Sequence, residues 1–318
     1  MSGRNTVTGV VCGMIAGALW GLVFVTPSIA SAFGPMQLAA GRYVAYGLFA
    51  LPLVWPHWKR YLQVLGKREW IALGYLSVLG NILYYVLLAA AVQLGGVAMT
   101  SLVIGFLPVA VTIIGSRDKG AVPLTRLLPS LLLSAAGILC IGWESLGKAS
   151  AGAFASQALG LLCAFGALAS WTTFAVSNSR WLARLEHVSG HDWSLLIGIV
   201  TGAQALVLIP PALVFEATSQ TGTQWLLFGG VSAAVALLSS IIGNGLWNRM
   251  SRLLPLTMVG QMILFETLFA LLYGFLWDQR LPSALEGAAI LFVLASVLTC
   301  LAAHRPKETD RALAAAHD

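Results

Sequence analysis

The sequence predicts an all-α membrane protein of ten transmembrane helices arranged as two inverted five-helix repeats. Three observations predict it: a composition too poor in charge for a water-exposed surface, ten apolar runs of spanning length, and a second half that echoes the first. The chain has 318 residues, of which 58% are hydrophobic and 9% charged, and its mean hydropathy is +0.84. Soluble domains carry about 25% charged residues, so this chain lacks the polar groups to cover itself in water. A transmembrane helix takes roughly 20 apolar residues. Ten of them consume about 200 residues, which leaves no stretch for a soluble catalytic domain.

The apolar runs, broken at charges and at Pro/Gly clusters, lie near 6–27, 35–55, 70–92, 97–115, 124–143, 157–179, 193–214, 224–246, 255–277 and 283–303. They are continuous, whereas barrel strands alternate over about ten residues. The first run has the length of a signal-peptide core, but it recurs later in the chain and is read as span 1. This gives an N-terminal repeat at 1–143 (spans 1–5), a C-terminal repeat at 157–303 (spans 6–10) and a polar tail at 304–318.

Charge sets the expected orientation. Arg4, Lys59, Arg60, Lys67, Arg68, Arg117, Lys119, Arg126, Arg180, Arg184, Arg249, Arg252, Arg305, Lys307 and Arg311 fall on one side, against Lys148 and Arg280 on the other. Fifteen against two places both termini and the tail in the cytoplasm under the positive-inside rule. The net charge of +6 is therefore read as topological, not as a nucleic-acid footprint. Cys12, Cys140, Cys163 and Cys300 all lie within apolar runs without metal-ligand spacing, so neither a disulfide nor a metal or other cofactor is expected.

A shift of 151 superposes Gly9, Cys12, Ala16, Ala18, Trp20 and Val25 on Gly160, Cys163, Ala167, Ala169, Trp171 and Val176. A shift of 155 places Trp70, Gly74, Ser77 and Leu83 on Trp225, Gly229, Ser232 and Leu238. Five helices is an odd number, so the second half enters the membrane from the opposite side. Inverted repeats belong to alternating-access transporters, whose substrate sits near the midplane between the repeats.

Candidate substrate-binding residues follow from polarity inside these spans. Span 1 aligns Gly13, Gly17, Trp20, Gly21 and Phe24 on one face, and Trp20 and its counterpart Trp171 suggest an aromatic clamp. Packing is the other role open to both. Span 3 offers Ser77, Asn81, Tyr84, Tyr85 and Leu88, span 4 offers Ser101, Gly105, Pro108 and Thr112, and span 8 offers Ser240, Asn244, Trp247 and Asn248. Lipid gives an amide no partner, so Asn81, Asn244 and Asn248 are expected to face inward, where they either bind substrate or tie helices together. Pro108 in mid-span frees a backbone carbonyl. Arg42 lies roughly 10 Å into span 2 and either snorkels or joins the site. Glu266, halfway along span 9, is too short to reach an interface and is read as cavity-facing, binding a substrate cation or a proton.

These residues resemble the drug/metabolite transporter superfamily in its EamA-type, ten-helix branch. The likeness rests on Ala18-Leu19-Trp20-Gly21, Arg42-Tyr43, the mid-span Pro108 and the Asp278-Gln279-Arg280-Leu281 turn, and it runs from about residue 6 to 303. The sequence looks closest to YddG-type bacterial amino-acid exporters. That resemblance implies a basket of ten helices in the inner membrane and export of aromatic and other neutral amino acids, with some drugs. Glu266 stands where many relatives carry a second mid-span proline, and the turn after span 9 lacks their Gly-Glu. An amino acid suits the candidate set, because Arg42 complements a carboxylate, Glu266 an ammonium, and Trp20, Tyr84, Tyr85, Trp171 and Trp247 an aromatic side chain. The same groups also suit a cationic drug or another small metabolite. An intramembrane enzyme is disfavoured because HExxH and GxSxG are absent, and a channel because conduction needs no inverted halves. No protein partner is readable beyond the small-molecule substrate and the bilayer.

Overall fold

The computed structural model describes residues 3–115, 124–147, 154–182, 184–185, 187–253 and 256–303. Arg117, Lys119, Lys148 and the tail at 304–318, with its Arg305, Lys307 and Arg311, lie outside the described residues. Every regular element among those described is helical. Seven helices are long and apolar enough to cross a membrane, and three shorter apolar ones accompany them.

In chain order, α1 is Gly3–Ile29, α2 is Pro35–Val64, α3 is Lys67–Gly95, and α4 comprises Val97–Ile104 and Leu107–Gly115. Helix α5 is Leu124–Gly147, α6 is Phe154–Leu182 and α7 is Gly190–Phe215. Helix α8 runs Gly222–Met250, α9 is Leu256–Trp277 and α10 is Ala284–Ala303. The expected spans are found, with differences at the ends and inside three of them. Helix α2 outruns its apolar stretch: a single tight turn at Trp55–His57 absorbs Pro56, and the chain resumes as helix to Val64. Helix α4 breaks at Gly105–Phe106, not at Pro108. The proline thus occupies the first turn of Leu107–Gly115, where a missing N–H costs nothing.

The other two differences are wide π-helical turns inside α3, at Val78–Ile82, and inside α8, at Ala236–Gly243. Hydropathy patterning carries no sign of them. Each frees backbone carbonyls that the neighbouring helix then satisfies. The Ser170 hydroxyl of α6 donates to the Leu79 carbonyl at 2.7 Å. In α8 the Trp20 indole donates to the Ser239 carbonyl at 3.0 Å, and the Ser239 hydroxyl donates back to the Leu19 carbonyl at 2.6 Å.

Packing is strongly paired. Helix α2 lies against α7 and α5 against α10, while α1 contacts α8 and α9, and α6 contacts α3 and α4. Small residues permit the closest crossings. A Cβ on Gly47 of α2 would come within 2.9 Å of the Gly202 Cα on α7, and one on Gly202 within 2.8 Å of the Gly47 Cα. The Gly13, Gly17 and Gly21 stripe fits against α9, where a Cβ on Gly17 would lie 2.6 Å from the Phe265 Cβ. At one end of the bundle the turn between α7 and α8 is tied to the start of α2. The Glu216 carboxylate accepts from the Met36 and Gln37 amides at 2.8 Å each, neutralising the positive end of that helix.

Candidate functional site

The two costliest side chains in the apolar interior come to the same region. Arg42 does not snorkel: it is 9% exposed, and its guanidinium stands over the Tyr85 ring at 4.5 Å and near the Tyr43 ring at 5.1 Å. A desolvated cation on an aromatic face gains about 2 kcal/mol, well short of the cost of burying an unpaired charge. One terminal nitrogen reaches the Ser240 hydroxyl at 3.5 Å, while Nε and the other terminal nitrogen are buried with no hydrogen-bond partner. Two of the three guanidinium nitrogens therefore lack an acceptor and are able to donate to an anion.

Glu266 lies on α9 beside the close approach of α1, its backbone nitrogen 2.9 Å from where a Cβ on Gly17 would sit. Its carboxylate is in electrostatic range of Arg42 and of Tyr84, and no ion pair joins Glu266 to Arg42 among the described residues. Glu266 is half-buried, whereas Tyr84 and Tyr85 are buried. Thr26 donates to the Val23 carbonyl, so the 2.7 Å contact between the Thr26 and Tyr85 hydroxyls has Tyr85 as donor. Thr26 also lines a mainly apolar cavity of about 410 Å³ between α1, α8 and α9, with Tyr273 as its other polar neighbour. Thr26 thus joins the wall of this cavity to the Tyr85 that lies beneath Arg42.

The remaining candidates divide. Trp20 packs against Trp247, ring centres 4.9 Å apart and planes tilted by 36°, while Trp171 packs at 5.8 Å on Phe174. The Trp20 indole is held by the freed carbonyl of Ser239 and so turns toward α8. Asn81 donates to Thr201 of α7 at 3.0 Å and Ser77 to the Ile197 carbonyl at 3.2 Å, so these two tie helices together. Ser101 is fully buried and donates into its own helix, to the Val97 carbonyl, at 2.8 Å. Asn244 lies near Tyr46, whose hydroxyl donates to the Ser194 carbonyl at 2.8 Å, and the Asn248 amide nitrogen is buried without a partner. The expected single face of span 3 is split by the wide turn, which sends Ser77 and Asn81 to α7 and Tyr84 and Tyr85 to the charged centre.

Sequence reasoning missed Thr26, Tyr46 and Ser239. Each is a hydroxyl in an apolar run, a signal too common to stand out. It also left aside a second cavity of about 330 Å³, lined by Glu144, Gln157, Asp278, Arg280 and Glu286. There Arg280 grips Glu286 through two 2.7 Å bonds, which hold the guanidinium above its ordinary pKa. Among the described residues no group of His, Cys, Asp and Glu could hold a metal ion.

Residues 7–143 match the EamA-like transporter family. The chain is also 33% identical over 307 residues to the inner membrane protein YtfF of Escherichia coli (strain K12), covering 90% of this chain and 93% of that protein. The chain belongs to the EamA-like transporter family. It is accordingly a multi-pass membrane transporter. A solved crystal structure superposes with a TM-score of 0.63 at 16% identity, covering 93% of this EamA chain and 99% of the other, which supports the fold alone.

Proposed function

We propose that this EamA transporter exports aromatic and other neutral amino acids across a bacterial inner membrane by alternating access, with both termini in the cytoplasm. The observation that carries the reading is the pair of opposite charges, Arg42 and Glu266, within electrostatic range of each other yet not joined. In this reading a zwitterion lies between them, its carboxylate on the unpartnered donors of Arg42 and its ammonium on Glu266, and neither charge is then left uncompensated. Tyr84, Tyr85, Trp20 and Trp247 supply the aromatic walls. A cationic drug satisfies Glu266 but leaves Arg42 facing a like charge, which disfavours that cargo.

The alternating-access component rests on the inverted halves. Exchanging α1 with α6, α2 with α7, α3 with α8, α4 with α9 and α5 with α10 maps the packed pairs onto themselves. Gly47 and Gly202, which meet at the α2–α7 crossing, are 155 residues apart, the shift that superposes span 3 on span 8. The two wide turns fall in counterpart helices.

Uptake into liposomes containing the purified protein tests the proposal. Labelled phenylalanine and tryptophan are expected to enter, and their amides and a quaternary ammonium dye are not. Arg42→Gln and Glu266→Gln are each expected to lower amino-acid uptake by about ten-fold or more, the loss of one charge-assisted contact. Uptake of the dye in preference to every amino acid would overturn the cargo, as would an unchanged rate in both variants.

A further inference from the structure

The wide turns divide α3 and α8 into halves with different allegiances. Before its wide turn, α3 is bonded to α7: Gln204 donates to the Gly74 carbonyl at 2.8 Å and Ser77 to the Ile197 carbonyl at 3.2 Å. After the turn, α3 packs on α6, where a Cβ on Gly160 would meet the Gly95 amide at 3.0 Å, and Tyr85 bonds to Thr26 of α1. Helix α8 repeats the division. Before its wide turn Phe228 and Ser232 close over Gly41 of α2, and after it Trp247 and Met250 pack with Trp20, Cys12 and Met262 of α1 and α9. These contacts group α2 and α7 with the first halves of α3 and α8, and α1, α4, α5, α6, α9 and α10 with the second halves, as two bodies that meet where the second half of α3 packs on α2. Arg42 belongs to the first body, and Tyr85, Trp247 and Glu266 belong to the second.

The geometry points to the wide turns at Val78–Ile82 and Ala236–Gly243 as a pair of hinges on which the two bodies rock to open and close the charged centre. This rests on the alternating-access reading above and assigns its moving parts. A wide turn holds one residue more than the α-helical turn it replaces and leaves carbonyls unbonded within the ladder, so it bends at lower cost than continuous helix. Closing it to α-helix would turn the residues beyond by about 100°. Those residues are Tyr84 and Tyr85 on α3, and Asn244, Trp247 and Asn248 on α8, so motion at either hinge also reorients the aromatic wall. Side-chain bonds hold each hinge, from Ser170 and from Asn81 to Thr201 in one case, and from Trp20, Ser239 and Arg42 in the other. Two direct bonds cross the border between α6 and the first body: the Trp181 indole donates to the Tyr75 hydroxyl of the first half of α3 at 2.6 Å, and the Trp193 indole of α7 donates to the Asn178 amide oxygen at 2.9 Å.

Cross-linking separates this arrangement from a rigid bundle. In one variant Tyr75→Cys and Trp181→Cys are joined by a short bifunctional maleimide and link the two bodies. In another, Gly74→Cys and Gln204→Cys are joined in the same way and link residues of one body. The first link is expected to lower amino-acid uptake about ten-fold relative to the same double variant left unlinked, and the second to leave it within about two-fold, as for a gating motion. Uptake that survives the first link, or is lost equally in both, overturns the hinges. Hydrogen exchange in nanodiscs, read without substrate, keeps the test independent of the cargo. The amides of 79–83 and 237–244 are expected to exchange about ten-fold faster than the turns flanking them and to slow when 75 is linked to 181, as in local opening. Exchange as slow as in the flanking helix, or unmoved by that link, overturns the hinges even if transport fails. Unlinked protein that carries no amino acid but shows this exchange pattern overturns the cargo reading alone.

Discussion

Arg42 illustrates how one side chain draws a neighbourhood around itself. Its charge is tolerable in the interior only because two tyrosine faces, one serine hydroxyl and the field of Glu266 surround it. Tyr85 contributes in two separable ways, through its ring beneath the guanidinium and through its hydroxyl bonded to Thr26. Tyr85→Phe removes only the hydroxyl bond and is expected to cost about 1 kcal/mol, while Tyr85→Leu also removes the ring and is expected to cost about 2 kcal/mol more. Thermal unfolding of the two variants in one detergent measures the difference, and equal melting temperatures would show that the ring contributes nothing. The residue types at this centre were legible in the sequence, since an arginine and a glutamate inside apolar runs announce themselves. Apart from the adjacent Tyr43, their partners were not, because Tyr85 and Ser240 lie about forty and two hundred positions from Arg42 in the chain.

Helices show the same split between composition and contact. Length and hydropathy were sufficient to place ten of them, because the bilayer leaves a backbone no alternative to internal hydrogen bonding. Their irregularities were not readable, since a wide turn is sustained by donors on another helix, as Ser170 and Trp20 sustain the two found here. Close crossings were half legible: the Gly13, Gly17 and Gly21 stripe stood out, but its partner face on α9 did not. Gly202→Leu forces a side chain into the α2–α7 crossing, where its Cβ alone would lie 2.8 Å from the Gly47 Cα, and is expected to abolish folded protein. Gly230→Ala, with open space around it, is expected to be silent. Yield of monodisperse protein after detergent extraction reports both. Glu216→Gln keeps the shape of the α2 cap but removes its charge, and it is expected to lower stability by about 1 kcal/mol with a smaller effect at high salt.

At the level of the whole molecule, the distribution of charge gives a prediction about sidedness. In the expected orientation, Gln279 on the turn after α9 faces the periplasm and Arg184 after α6 faces the cytoplasm. In intact cells an impermeant thiol reagent is expected to label a Gln279→Cys variant and to spare Arg184→Cys until the membrane is opened. The reverse pattern would invert the molecule and turn export into import for the same cycle. Sidedness comes from a simple physical source, the cost of moving basic loops across the membrane, which is why it can be inferred from a count of residues.

The sequence by itself determined that the chain lives in a bilayer, where its apolar helices lie, and which two side chains would be most expensive to bury. Those properties depend on the transfer of each residue from water to hydrocarbon, a sum that ignores what lies across the bundle. Only the tertiary structure decided that Arg42 keeps two donors free while Asn81 and Ser101 spend theirs, that Trp20 faces Trp247, and that α3 and α8 each change partners halfway along. A hydrogen bond or ring contact is fixed over a few ångströms, and the chain reaches that distance by folding residues far apart in sequence against one another.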